Sequence, residues 1–170
     1  MLFNGTMHKI LSILPVFVWS LTVVFLSVGM TQAADTDSVS ATVTVQNISL
    51  SLADGSVSYG TLATNSSANT TSPSDEQTIT NDGNVTIDVN IRGADTAAWT
   101  LAGTAGANAS IHRSCTATCG TYPTNYTIMT TSYAELATGV AAAGTQALHL
   151  GITTPTSSVS YTQQTADVTV

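Results

Sequence analysis

Lysine is missing from this 170-residue chain after position 9, and the only basic side chains beyond it are Arg92 and Arg113. Ten acidic residues oppose them. A surface of that sign repels phosphate backbones, which excludes nucleic-acid binding. It also offers no basic patch to an anionic bilayer. Solubility must come from Ser, Thr and amide side chains. Catalytic groups are equally scarce. Past residue 33 the neutral-pH bases are His112 and His149. There is no Gly-x-Ser-x-Gly elbow, no His-Glu-x-x-His and no phosphate-binding glycine loop. The carboxylates are scattered at turns, so no residue is assigned a catalytic role, no cofactor is expected and the chain is read as a non-enzyme. No window after residue 33 has the periodicity of an amphipathic helix.

The first 33 residues read as an export signal. His8 and Lys9 precede a largely apolar run from Ile10 to Val28. Small residues follow, and Thr31 and Ala33 suit signal peptidase for a cut after Ala33. A run of ~20 apolar residues also suits an uncleaved N-terminal anchor. Both readings place a single domain, residues 34–170, outside the cytoplasm.

That domain has strand periodicity. Val39, Ala41, Val43 and Val45 alternate with Ser and Thr, which predicts a half-buried strand. The apolar set then shifts by one, to Ile48, Leu50 and Leu52, and predicts a bulge near Gln46–Asn47. A turn at Asp54–Gly55 leads to a short strand with Val57, Tyr59 and Leu62. Residues 63–75 read as a surface loop. Gln77–Thr80 and Val85–Ile91 read as strands joined by Asn81-Asp82-Gly83-Asn84, a hairpin signal because these residues tolerate positive φ. Trp99 and Leu101 share a face. Residues 102–125 read as a long excursion, and Ala134–Ala137 as a turn of helix or a loop. Strands are expected at Tyr126–Thr130, at Leu148–Ile152 before Pro155, at Val159–Tyr161 and at Ala166–Val170. About seven to nine short strands with turns between them predict an all-β, antiparallel two-sheet sandwich.

The leader, Tyr59-Gly60-Thr61-Leu62, Asn81-Asp82-Gly83-Asn84, Trp99-Thr100-Leu101 and Gly144-Thr145-Gln146-Ala147-Leu148-His149-Leu150 together resemble Ig-like β-sandwich proteins of prokaryotic cell surfaces. WxL-type surface domains are the nearest in pattern, with one Trp-x-Leu motif here rather than two. The resemblance implies a non-enzymatic fold that associates with cell-wall material or other surface proteins.

Several residues invite closer reading. Cys115 and Cys119, outside the cytoplasm, are expected to form a disulfide that pins one loop tip. With His112 they also have a spacing compatible with a metal, but a closed zinc site needs a further ligand. The disulfide beside an exposed histidine is preferred. Asp35 with Asp37, and Asp82 with Asn81 and Asn84, match no spaced calcium loop. Six of the eight asparagines after residue 33 lie in Asn-x-Ser/Thr: Asn47, Asn65, Asn69, Asn84, Asn108 and Asn125. They are candidate glycosylation sites, with Asn65 and Asn69 expected to be the most accessible. Trp99 is read as a core residue, with sugar stacking as the alternative. His149 is expected to face solvent.

The function expected is that of a secreted or cell-surface structural or adhesive protein, partnered by other surface proteins or envelope polysaccharide. Two alternatives remain: a fibre or sheath subunit joined through its N-terminal strand, and a carbohydrate-binding module.

Overall fold

The computed structural model describes residues 37–71 and 74–170. The expected leader, residues 1–33, and Asp35 lie outside the described residues. Residues 37–43 and 44–170 form separate units, each taken by itself.

Residues 44–170 are all β, with ten strands in two sheets and no helix among the described residues. The strands are β1 (Leu50–Leu52), β2 (Ser67–Asn69), β3 (Gln77–Asn81), β4 (Ile87–Gly93), β5 (Thr100–Leu101), β6 (Ala109–Cys115), β7 (Thr127–Ile128), β8 (Ala134–Val140), β9 (Thr145–Thr153) and β10 (Val168–Thr169). The larger sheet runs β1-β3-β9-β6-β5, with β2 also on β9 and β7 also on β6. The smaller runs β10-β4-β8. All pairs are antiparallel except β5–β6, where Thr100 and Leu101 run parallel to Ala109 and Ser110. The wholly antiparallel expectation fails at that two-residue contact.

β9 is the central strand because its two faces are both covered. Leu148, Leu150 and Ile152 point to one side and are buried. On the other side Gly151 lies under the Tyr122 ring, where a Cβ would come within 2.2 Å of the ring carbons. Along one edge, β3 pairs with Ala147 and Leu148 while β2 pairs with Gly151–Thr153. Thr70 fills the gap between them. Its N–H donates to the Leu150 carbonyl, and its Oγ1 accepts from the Leu150 N–H, both at 2.9 Å. A residue read as part of a surface loop is therefore almost fully buried.

One core joins the two sheets. Ile79, Leu148 and Leu150 from the larger sheet meet Val89, Ile91 and Val140 from the smaller, with Met129 beside them. β4 keeps the alternation read from sequence, with Val89 and Ile91 buried between exposed neighbours. β8 does not. Going from Ile87 to Ile91 of β4, the partner strand runs from Val140 back to Ala134 and uses two extra residues. Two bulges scramble its in-and-out order, and its Ala-Glu-Leu-Ala start carries no strand period.

Other expectations fail for related reasons. β6 occupies the region read as an excursion, because its inward side chains are Ser110, His112 and Ser114, all buried. Residues 38–46 form no strand, and Val39, Val43 and Val45 are 95%, 90% and 78% exposed. The strands expected around Val57–Leu62 and Val159–Tyr161 are also absent.

The expected hairpin at Asn81–Asn84 fails: β3 lies in the larger sheet and β4 in the smaller, and none of the four residues has positive φ, so the segment carries the chain from one sheet to the other. Asn81 is completely buried. Its Nδ2 donates to the carbonyls of Val85 (2.8 Å), Val140 (3.0 Å) and Ala141 (3.0 Å), and its Oδ1 accepts from the Gly83 N–H. One amide thus ties the β3–β4 turn to the β8–β9 turn. Asn84 then clamps the preceding chain, its Nδ2 donating to the Val45 carbonyl and its Oδ1 accepting from the Asn47 N–H, both at 2.8 Å.

Candidate functional site

A cavity of about 340 Å³ opens at the opposite end of β3, where Gln77 begins the strand. The larger sheet supplies Leu52, Gln77, His112, Leu148, Leu150 and Ile152 to its wall. The β4–β5 connection supplies Thr96 and Trp99, and the last stretch of chain supplies residues 163–168 and Val170. The segment before β2 closes the rest with Val57 and Tyr59.

Most polar side chains in this wall already have partners. Gln77 accepts from the Gly55 N–H and donates to the Ser56 carbonyl, both at 3.0 Å, which holds the 55–59 segment in place. Gln164 accepts from the Ala98 N–H and the Thr96 hydroxyl, both at 3.0 Å. The Trp99 Nε1–H donates to Ser158 Oγ at 2.8 Å. The lining mixes polar and aliphatic surface, with Tyr59 and Trp99 as its large aromatic residues.

Among the buried polar residues of the wall, His112 is the one with an unpartnered atom. It sits on β6 opposite Ile152 and is 4% exposed. Its Nε2 lies 2.9 Å from the Tyr59 hydroxyl, and Nδ1 has no partner among the described residues. Burial holds the imidazole neutral and lowers its pKa to about 4. Burial also raises the Tyr59 hydroxyl, with smaller contributions from Tyr122, Tyr126 and Asp75. A base that protonates only in strong acid and a phenol that stays protonated make a poor proton-transfer pair at neutral pH. Their bond instead fixes Tyr59 against β6.

The sequence candidates fall in several places. Cys115 and Cys119 form the expected disulfide, with an S–S distance of 2.04 Å. His112 lies on the opposite face of β6 from Cys115, so the metal reading of the three fails, and the histidine is buried rather than exposed. His149 is half-buried and its Nε2 is 2.8 Å from Glu76, not free in solvent. Asn81 turns its amide nitrogen toward three carbonyls, an arrangement that leaves them no lone pair aimed at a cation between them. Trp99 lies half-buried on the cavity wall, outside the buried core cluster.

Among the sequons, Asn47, Asn65, Asn84 and Asn125 are exposed, while Asn69 and Asn108 are half-buried. Asn69 lies in β2, and its Oδ1 accepts from the Thr71 N–H at 2.9 Å. Asn108 holds the Val159 N–H at 2.8 Å, and its sequon serine, Ser110, is buried in β6. Asn125 donates to the Thr118 carbonyl at 2.9 Å.

The cavity was invisible to sequence reading because its wall comes from distant segments. No local signal marked it, since His112 shares its face of β6 with Ser110 and Ser114 and Tyr59 lies outside any strand.

No protein-family model matches the chain, and comparison with curated proteins and with solved structures finds no match.

Proposed function

We propose that this is an exported, non-catalytic structural protein of the cell surface, an Ig-like β-sandwich that joins other subunits by strand addition. The single observation carrying this reading is the segment 38–46. Its sequence alternates Val39, Ala41, Val43 and Val45 with hydroxyl residues, yet it forms no strand and its valines are 78–95% exposed. Burying a valine fully stabilises by ~1.5–3 kcal/mol. A run of exposed valines with strand periodicity is therefore a docking element in want of a sheet. Two sheets sharing one core support the sandwich, as does the resemblance to WxL-type surface domains. Partners are further surface proteins of this kind, with envelope polysaccharide as the wider setting.

Sedimentation of the secreted protein over a range of concentrations tests the reading. Self-association is expected, and Val39→Ser with Val43→Ser should reduce it. A wild type that stays monomeric at millimolar concentration would count against the proposal.

Trp99 on the cavity wall favours a second reading, a carbohydrate-binding module, since aromatic faces stack on sugar rings. Glycan-array binding that disappears in Trp99→Ala is the outcome this reading requires.

A further inference from the structure

We infer that Asn47 and Asn65 are the acceptors of N-linked oligosaccharide on this chain, and that the fold withholds its other four sequons. The inference rests on the export reading above, because such a transferase acts on the far side of a membrane, and adds to it a covalent modification at two named side chains.

The transfer sets what an acceptor must offer. The asparagine Nδ2 forms a bond to the anomeric carbon of a sugar. The bond from that carbon to a lipid-linked phosphate or pyrophosphate breaks, and the electron pair leaves with the phosphate. The amide gives up one proton. Its nitrogen must therefore be reachable and free of other bonds, and the Ser or Thr two residues on must be reachable as well.

Four sequons fail on one of these counts. Asn84 spends both ends of its amide, Nδ2 on the Val45 carbonyl and Oδ1 on the Asn47 N–H. Asn125 Nδ2 donates to the carbonyl of Thr118, inside the loop that the disulfide closes. Asn108 is half-buried, its Oδ1 holds the Val159 N–H, and its sequon hydroxyl belongs to buried Ser110. Asn69 is half-buried in β2 opposite Gly151 of β9. Its Oδ1 accepts from the Thr71 N–H, and the middle residue of its sequon is the buried Thr70 that bridges to Leu150. Local opening must precede reaction at each of these positions.

Asn47 and Asn65 meet the requirements. Both are exposed, and neither carboxamide has a hydrogen-bond partner among the described residues. Asn65 stands in a turn just before β2, with φ at 54° and its own N–H donating to the Pro155 carbonyl at 2.8 Å. Asn47 precedes β1, and Asn84 grips its backbone on both sides, so the peptide is held while the side chain is left free. Their sequon serines are open too: Ser67 is exposed and Ser49 half-buried. An oligosaccharide at Asn47 also gives polar cover to its neighbour Ile48, which is 74% exposed.

Glycopeptide mapping of the full-length exported protein from its own host, by electron-transfer fragmentation, tests the assignment. Glycan at Asn47 and Asn65, with the other four asparagines bare, is expected. A bare Asn47 or Asn65 overturns the assignment at that position. Glycan at Asn69, Asn84, Asn108 or Asn125 overturns selection by the fold. A chain retained in the cytosol removes the export reading and the modification together, whereas an exported chain bare at both positions removes the modification alone.

An independent arm uses a purified single-subunit oligosaccharyltransferase with its lipid-linked oligosaccharide. Its acceptors are the folded full-length chain and six peptides, one for each sequon. The four withheld sequons should accept glycan about tenfold or more slowly in the folded chain than in their peptides, and Asn47 and Asn65 at similar rates in both. Asn47→Gln with Asn65→Gln should abolish rapid transfer to the folded chain. Equal rates for all six sequons in the folded chain would overturn the inference.

Discussion

At the Asn81 end of β3 the buried amide of the turn meets a partner at both its ends, whereas at the Gln77 end a cavity remains and a buried histidine nitrogen has none. Four residues earlier or later on one strand separate these conditions. The Asn81 end is closed by short local turns, so one amide can reach several carbonyls at once. The Gln77 end is assembled from segments far apart in sequence, and their side chains leave space between them. Closure by hydrogen bonds makes the first end a structural fixture. Incomplete packing leaves the second end open.

The comparison can be broken first at its closed end. Asn81→Leu removes the donor to the Val85, Val140 and Ala141 carbonyls, and each buried group left bare costs ~1–3 kcal/mol. A loss of about 4 kcal/mol in urea denaturation is expected. A loss under ~1 kcal/mol would show that water replaces the amide there.

At the open end the sharper probe is pH. The unfolded chain protonates His112 near pH 6.5, but the folded one only near 4. The unfolded state therefore binds the proton first as pH falls. Stability is complete above about 6.5, declines through the interval and levels off below about 4, a total of about 3 kcal/mol. His112→Phe should flatten that slope in denaturation curves taken across the interval. An unchanged slope would assign it to the carboxylates instead.

Two smaller substitutions refine the closed end. Gly83→Ala would place a Cβ 2.4 Å from the Asn47 carbonyl oxygen, a backbone atom, so the Asn84 clamp must open. About 2 kcal/mol should be lost, read as a lower melting temperature. The effect should vanish if residues 45–47 are free in solution. Ala143 holds φ at 57° in the β8–β9 turn, where its own N–H reaches the Asn81 carbonyl. Left-handed backbone is strained for alanine, and Ala143→Gly should gain about 0.5–1 kcal/mol.

The sequence displayed some of this clearly. β3, β4 and β9 announce themselves by alternation, because each puts Val, Ile or Leu on one face. Asn81-Asp82-Gly83-Asn84 announces a break between strands, though not that those strands belong to different sheets. The cysteine pair announces its bond. β6 was hidden because its inward residues are Ser110, His112 and Ser114, which mimic a loop composition. β8 was hidden by two bulges and by helix-forming residues, its strand conformation being imposed by pairing with β4. Residues 38–46 misled in the opposite direction, since strand periodicity states what a segment can pair with and not whether its partner lies in the same molecule.

Composition and periodicity by themselves determined that this protein is built from strands, because alternate side chains on an extended backbone must face opposite ways. Which strands are neighbours, that His112 is buried and neutral, and that a cavity opens beside Trp99 were decided only by tertiary structure. Those features depend on distances between residues such as Tyr59, Trp99, His112 and Val168, and no local rule of spacing encodes how a chain brings such residues together.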